Sequence, residues 1–367
     1  MNRLTERDAI NEAAERRVMN ETAERRGIAY LSFTARGKAL AERLCAALGG
    51  TASCTRDASA PTLSGWTAEN FPRKRALVYV GATGIAVRAV APYLRSKAAD
   101  PAIVAVDESG RFAIPLASGH LGGANDLARA IASITGGIAV ITTATDLRGV
   151  FAVDEWARRQ NCAVIHPSAI KSVSAKILNG EIVRVFSAFP IAGNPPEGVQ
   201  YTETGNAQSA ETAPDIWVDV RRRLPLLLAP RILTLGAGCR RGTDAATLER
   251  RFSALCDEYA LCPEAFRAAA TIDLKADEPG LLTFCAARHW ELRTFGADEL
   301  RRVPGTFTAS AFVERKTGVE NVCERAAVLS SGGTLIVRKY AGEGVTFAVA
   351  QGPFSMDWSC EAWGRYT

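Results

Sequence analysis

Short apolar runs alternate with stretches of helical apolar spacing along most of the chain from Gly27 onward. Ile28–Phe33 (IAYLSF) predicts a buried strand. The pattern after Thr34-Ala35-Arg36-Gly37 predicts a helix through Leu48, stopped by Gly49-Gly50. The same alternation returns in ALVYVG (Ala76–Gly81), a strand, and ATGIAVRAVAPYL, a turn and helix. AIVAVDESGRFAIPL predicts a hairpin turning at Asp107–Gly110. A helix over Ala124–Ile134, ended by Gly136-Gly137, leads to a strand over Ile138–Thr143 (IAVITT). DEWARRQ then predicts a helix and CAVIHP a strand. Strands alternating with helices of this length predict α/β layers with mostly parallel sheet.

The rhythm breaks at Pro190–Pro214 (PIAGNPPEGVQYTETGNAQSAETAP), which predicts a long loop. A new unit opens with RILTLGAGCRRGT and runs through AATIDLK and LLTFCAA to TLIVRKY and VTFAVAQG. The expected architecture is therefore two mostly parallel, three-layer α/β units with a less regular middle region. Its segments are 27–153, 154–228 with the loop 190–214, 229–352 and a tail at 353–367, with a boundary near Ala229. Residues 1–26 mix Arg and Glu with few large apolar residues and predict a solvated helix or disordered extension.

Composition narrows the function classes. The 367 residues are enough for two or three domains. No apolar run is long enough to cross a bilayer, and the first residues lack the apolar core of a secretory signal. The nine cysteines form no CxxC pair, and their number is odd; a disulfide framework is not expected, and a reducing, cytoplasmic compartment is. A net charge of +5, spread over short clusters such as Arg221-Arg222-Arg223 and Arg240-Arg241, excludes a long nucleic-acid stripe. Such clusters are either solvated surface or attractors of a polyanionic small molecule.

Several turns carry candidate chemistry. Gly81, Thr83 and Gly84 form a strand-to-helix glycine turn, with Arg88 one helical turn later on the side of Gly84; it lacks the lysine of a phosphate-binding loop. Ser118-Gly119-His120-Leu121-Gly122-Gly123-Ala124-Asn125-Asp126 surrounds one of only three histidines with glycines. His120 reads as a general base near neutral pH or as a hydrogen-bonded loop residue, and Asn125 as a ligand contact or a cap. Thr142, Thr143 and Asp146 follow a strand, where open α/β sheets place ligands; a structural turn fits equally. Gly236, Gly238, Cys239, Arg240, Arg241, Gly242 and Thr243 form a GxGxxxG turn. It reads as an anion site at a helix start, a tight turn capped by Thr243, or an imperfect dinucleotide fingerprint. For the last, the acidic partner is missing, since Glu249 falls in the following helix and Asp273 too far along. Lys275 and Glu278 hold the corresponding position after the next strand. The three histidines have no metal-ligand spacing, and no GxSxG elbow is present.

The words GATGIAVRAVAPYLRSKAADPAIVAVDESGRFAIPLASGHLGGANDLA, VITTATD, LGAGCRRGT and TIDLKADEPGL, in this order, resemble the CbiG family of cobalamin biosynthesis. The resemblance spans roughly Gly27 to Gly352. It implies a cobalt-precorrin-5A hydrolase: a ring-A δ-lactone is opened, a two-carbon fragment leaves as acetaldehyde, and cobalt-precorrin-5B forms. The implied partners are a tetrapyrrole substrate and neighbouring enzymes of the pathway, with neither nucleic acid nor membrane. No cofactor is implied, because cobalt arrives inside the substrate. Read against that reaction, His120 is the candidate for activating water, with N–H groups near Gly122 and Gly123 for the oxyanion. Asp146, Lys97 and Lys275 are candidates for proton transfer or lactone polarisation. Gly81, Thr83, Gly84, Arg88, Gly119, Gly122, Gly123, Asn125, Thr142, Thr143, the residues of the 236–243 turn and Glu278 are candidates for binding. The competing readings are a dinucleotide-dependent oxidoreductase and a non-catalytic corrinoid-binding protein.

Overall fold

The structure is a computed structural model that describes residues 27–58, 60–96, 99–143, 148–203 and 213–358. The chain divides into two compact units. One comprises 27–156 and Ile170–Glu181; the other comprises Ala157–Ala169 and Ile182–Trp358.

In the first unit, β1 (Ile28–Ser32), β2 (Thr51–Cys54), β3 (Ala76–Val80), β4 (Ala102–Val106), β5 (Phe112–Ala117) and β6 (Ile138–Ala139) form a six-stranded sheet of order β2-β1-β3-β4-β5-β6. β1, β3 and β4 are buried at every position, as parallel strands covered on both faces must be. Alternate residues serve opposite faces. Ile28, Tyr30, Val78 and Val104 pack beneath α1 (Ala35–Leu48) and α4 (Ala124–Thr135). Ala29, Leu31, Leu77, Tyr79 and Ile103 pack beneath α2 (Leu63–Asn70) and α3 (Thr83–Val90). The result is a helix–sheet–helix sandwich. Thr34 starts α1 by accepting from the Gly37 N–H at 3.0 Å. Gly49 (φ 78°) and Gly136 (φ 73°) stop α1 and α4 in conformations that favour glycine.

Strand direction changes once in a way that matters. β1–β2, β1–β3 and β3–β4 are parallel, whereas β5 returns antiparallel to β4 through the expected Asp107–Gly110 turn. There the Asp107 carboxylate accepts from the Ser109 and Phe112 N–H groups at 3.1 and 2.6 Å. β6 then runs parallel to β5. The expected strand over Ile138–Thr143 is correspondingly shorter. Val140 still donates to the Ala113 carbonyl at 2.9 Å, but the next ladder bond would need an N–H at Pro115, which has none.

The second unit holds two five-stranded sheets. The first is built from β7 (Cys162–Ile165), β8 (Val183–Ser187), β10 (Val199–Glu203), β11 (Ile216–Val218) and β12 (Leu226–Pro230), in the order β10-β8-β11-β12-β7. The middle region is thus more regular than its composition predicts. Within Pro190–Pro214, β9 (Ile191–Ala192) and β10 interrupt the expected loop, while 204–212 lie outside the described residues. β10 is an edge strand whose polar residues alternate with Val199 and Tyr201, a pattern too short to separate from loop by periodicity. Ala229 lies inside β12, and the sheet changes across Arg231 and Ile232.

The other sheet has the order β15-β14-β13-β17-β16, from β13 (Leu233–Cys239), β14 (Phe266–Ile272), β15 (Glu291–Phe295), β16 (Thr334–Gly342) and β17 (Val345–Gln351). β13, β14 and β15 are parallel, and β16 and β17 are antiparallel additions. Phe252 of α7 (Ala245–Glu258) and Phe284 of α8 (Pro279–Ala287) pack edge-on against each other and against Trp290. Arg288 lies over the Phe252 ring at 4.1 Å while it pairs with Glu249. Against β13, α11 (Cys323–Ser331) lies so close that a Cβ on Gly236 would stand 1.8 Å from the Cys323 carbonyl oxygen.

Gly236→Ala is therefore expected to destabilise the protein by about 1–3 kcal/mol, at the upper end because the obstruction is backbone. Gly84→Ala, in a helix and with nothing within 4 Å of the new methyl, should change stability by no more than about 1 kcal/mol. Denaturant unfolding of the two variants checks both; equal midpoints would refute the packing argument.

Candidate active site

The loop after β5 turns the chain into α4 within a few residues. Ser118 adopts φ 56° and Gly123 φ 83°. The turn is closed by backbone bonds: Gly123 donates to the His120 carbonyl at 3.0 Å, Ala124 to Ser118 at 3.1 Å and Asn125 to Gly119 at 3.0 Å. Two glycines here are required by close approach. A Cβ on Gly122 would stand 2.3 Å from the Ser118 Cβ, and one on Gly119 would stand 2.8 Å from Asn125 Oδ1. Ser118 is the strained member, since a non-glycine residue in the left-handed region costs about 1–2 kcal/mol.

These backbone bonds hold up His120. Its Nδ1 lies 3.2 Å from Asp154 Oδ1, and both side chains are largely buried, 13% and 7% exposed. Asp154 lies in the first turn of α5 (Val153–Arg159), where the Glu155 N–H also donates to its Oδ1 at 3.1 Å. A carboxylate beside Nδ1 orients the imidazole, as it does in an oriented general base. Next to it, Asn125 Nδ2 donates to Thr143 Oγ1 at 3.0 Å. Asp126 is buried and pairs with Arg129 at 2.9 Å, and Arg129 also reaches Glu155 at 3.6 Å. His120, Gly119, Gly122, Gly123, Asn125 and Thr143 thus share one loop cluster, with the exposed Thr142 beside them. The Gly123 N–H is not available to an oxyanion, because the His120 carbonyl takes it.

The other glycine turn is not part of this cluster. Gly81, Thr83, Gly84 and Arg88 follow the carboxyl end of β3, where Val80 pairs with Val106. The His120 loop follows Ala117, which pairs with Ile103 near the other end of β4. At ~3.3 Å per residue the two turns are separated by on the order of 10 Å of strand. The reversed direction of β5 sets the two turns apart. Gly81 has a packing reason, since the Phe33 ring would lie 2.6 Å from its Cβ. Gly84 and Arg88 are exposed. Lys97 and Asp146 lie outside the described residues.

In the second unit, the 236–243 turn also differs from its expected role. Gly236 is buried under α11, so nothing can approach its backbone as a dinucleotide would. The N–H groups expected to hold an external anion are taken by the protein itself. Arg240 donates to the Gly344 carbonyl at 2.9 Å, Thr243 to the Arg240 carbonyl at 3.3 Å, and Gly242 to Glu278 Oε1 at 2.6 Å. Glu278, only 1% exposed, is in effect the anion of this turn, and Lys275 Nζ closes on its other oxygen at 2.8 Å. The Lys275 bond, helped by the Gly242 N–H and by Arg241, holds the Glu278 carboxyl below the usual carboxylate range. Burial keeps Cys239 above the ordinary thiol range, so it is not an activated nucleophile. Thr243 Oγ1 donates to the Arg240 carbonyl at 2.8 Å, and Gly238 packs against Thr346. Arg240 and Arg241 remain exposed.

Asp154 is the residue that sequence reasoning missed. A carboxylate far along the chain from its histidine gives no local spacing signal, and the expected boundary after residue 153 set it apart from the loop it serves.

Three family profiles match in order: Cobalamin synthesis G N-terminal over 65–146, Cobalamin biosynthesis central region over 151–233, and Cobalamin synthesis G C-terminus over 233–350. A cobalt-precorrin-5A hydrolase of Salmonella typhimurium is 33% identical over 88% of this chain and 97% of its own. A protein of the same name from Priestia megaterium is 31% identical over 77% of this chain and 80% of its own.

Because its folded carboxyl titrates below its unfolded value, Glu278 contributes stability that is present above the unfolded carboxylate range and is lost as pH falls through the folded value. Glu278→Gln should be less stable than the parent near neutral pH, and the gap should close as pH falls below about 4. Urea unfolding across pH 3–7 would show it; a gap that stays constant with pH contradicts the assignment.

Proposed function

The chain belongs to the cobalamin synthesis G family, and we propose that the chemistry of this cobalt-precorrin-5A hydrolase runs at the His120–Asp154 pair. The protein is an enzyme of cobalamin biosynthesis, a hydrolase acting on a tetrapyrrole. The observation that supports the site is the 3.2 Å contact between His120 Nδ1 and a buried carboxylate, held by a loop in which a Cβ on Gly122 would collide with Ser118.

In this reading His120 Nε2 takes a proton from water as the oxygen adds to the lactone carbonyl carbon. The intermediate collapses with cleavage of the acyl–oxygen bond, leaving a ring-A carboxylate and an oxygen on the departing two-carbon fragment. The oxygen of that fragment becomes the aldehyde carbonyl as the carbon–carbon bond to the macrocycle breaks; the bonding pair stays on the macrocycle and takes up a proton, so that acetaldehyde leaves and cobalt-precorrin-5B remains. Asp154 orients the imidazole and stabilises the imidazolium that forms. Asn125 and Thr143 border the reacting centre. The Gly122 N–H is the oxyanion donor in place of Gly123. Taken by itself, the second unit presents the exposed guanidiniums of Arg240 and Arg241, groups suited to carboxylates, on a turn shaped by the Glu278–Lys275 pair. Cobalt enters as part of the substrate, and no further cofactor is used. Among the described residues the cysteines are free thiols, which suits a reducing compartment, and no helix is long and apolar enough to cross a membrane.

Anaerobic turnover of cobalt-precorrin-5A, followed by mass and acetaldehyde release, tests the reading. His120→Ala should lower turnover by about 10²–10⁴-fold while leaving the protein folded and able to bind substrate. Asp154→Asn should lower it by a smaller factor, because the base survives with its tautomer no longer fixed. A His120→Ala enzyme with parental turnover sinks the site. Binding without acetaldehyde release by the parent chain would favour a corrinoid-binding protein instead.

A further inference from the structure

Two charged contacts join the His120 loop and its helix to the start of α5. One is His120 Nδ1 with Asp154 Oδ1 at 3.2 Å. The other runs from Arg129 Nη1 on α4 to Glu155 Oε1 at 3.6 Å, and the same nitrogen lies 2.9 Å from Asp126 Oδ1, one turn back along α4. Asp126 and Glu155 are largely buried at their side chains, whereas Arg129 is 42% exposed. Glu155 also donates its backbone N–H to Asp154 Oδ1 at 3.1 Å, so the residue that Arg129 grips is the one that holds the oxygen facing His120. Three carboxylates thus gather at the first turns of two helices. Like charges so placed push apart unless a cation lies among them. An ion pair with an exposed partner adds little to stability. What this one supplies is a fixed distance between α4, which opens directly from the His120 loop, and α5, which carries Asp154.

We propose, on the reading of the site given above, that Arg129 is a positioning residue for the hydrolysis: its guanidinium bridges Asp126 and Glu155 and so holds Asp154 against the His120 ring. A shift of α5 away from α4 would carry Asp154 Oδ1 and the Glu155 N–H together. A contact of 3.2 Å between a ring nitrogen and a carboxylate oxygen has little length to spare before it ceases to be a hydrogen bond. Arginine suits the task because its planar fork meets more than one carboxylate oxygen, where lysine offers a point charge. No bond is made or broken at Arg129. Its effect reaches the reaction through Asp154 and then His120.

The test measures acetaldehyde release from cobalt-precorrin-5A under anaerobic conditions, with thermal unfolding alongside. It compares the full-length parent with Arg129→Gln, Arg129→Lys, Asp154→Asn, His120→Ala and the Arg129→Gln/Asp154→Asn double variant. Arg129→Gln should unfold close to the parent, keep KM within roughly twofold and lose about 3- to 30-fold in kcat, as for removal of a neighbour that sets the geometry of a reacting group. Arg129→Lys should recover part of that loss. In the Asp154→Asn background the Gln substitution should cost less than about twofold further, because the carboxylate it serves is already gone. Parental kcat in Arg129→Gln, with His120→Ala inactive, overturns the role of Arg129 and leaves the site standing. Parental kcat in His120→Ala overturns the site, and this proposal with it. Losses that multiply in the double variant place Arg129 outside the Asp154–His120 path. A raised KM at unchanged kcat places it in substrate binding, and a markedly lower unfolding temperature in both Arg129 variants places it in folding; each of these three results overturns the proposal.

Discussion

The direction of one strand decides where the His120 loop sits in the first unit. β1, β3 and β4 run the same way, and an open α/β sheet built only from them would carry its ligands at their carboxyl ends, beside Gly81 and Gly84. The Asp107 turn sends β5 back against β4, and β6 follows β5. The carboxyl ends of this second parallel pair therefore emerge at the opposite edge, together with the start of α4. The same rule of strand ends applies there, with the local direction inverted, and it brings His120, Asn125 and Thr143 into one cluster.

That edge is made specific by electrostatics in a sparsely solvated setting. A carboxylate that is nearly buried must be compensated, and Asp154 is held by the His120 imidazole and the Glu155 N–H. Orientation of the imidazole and satisfaction of the carboxylate are the same contact. The second unit solves a similar problem without exposing the result. Glu278 is satisfied by Lys275 and by the Gly242 N–H, and the turn so formed presents Arg240 and Arg241 outward. In one unit the buried carboxylate orients an imidazole; in the other it stiffens a turn.

Much of the fold was legible because its signals are local. Uninterrupted apolar runs marked β1, β3 and β4, glycines marked the ends of α1 and α4, and Asp107 marked the hairpin. The glycine-surrounded His120 was conspicuous for the same reason. What stayed hidden depends on partners distant in sequence. Pro115 shortens β6 from across the ladder, and Asp154 reaches His120 from the start of α5. Glu278 fills the anion site that the 236–243 turn would otherwise offer. Gly236 is explained by a helix that arrives much later in the chain. The middle sheet was missed because short edge strands such as β10 carry too few alternations to outweigh their turn-forming neighbours.

The missing N–H at Pro115 also bears on how copies of the protein behave towards one another. A sheet margin with a long row of unmet donors and acceptors is a template on which another chain can stack, and proteins blunt such margins to stay dispersed. Because Pro115 ends the ladder after Val140, β6 offers only two paired residues at that margin, with Ile138 the exposed apolar side chain on it. The interruption after Val140 thereby also guards the sheet against strand-by-strand stacking with other copies.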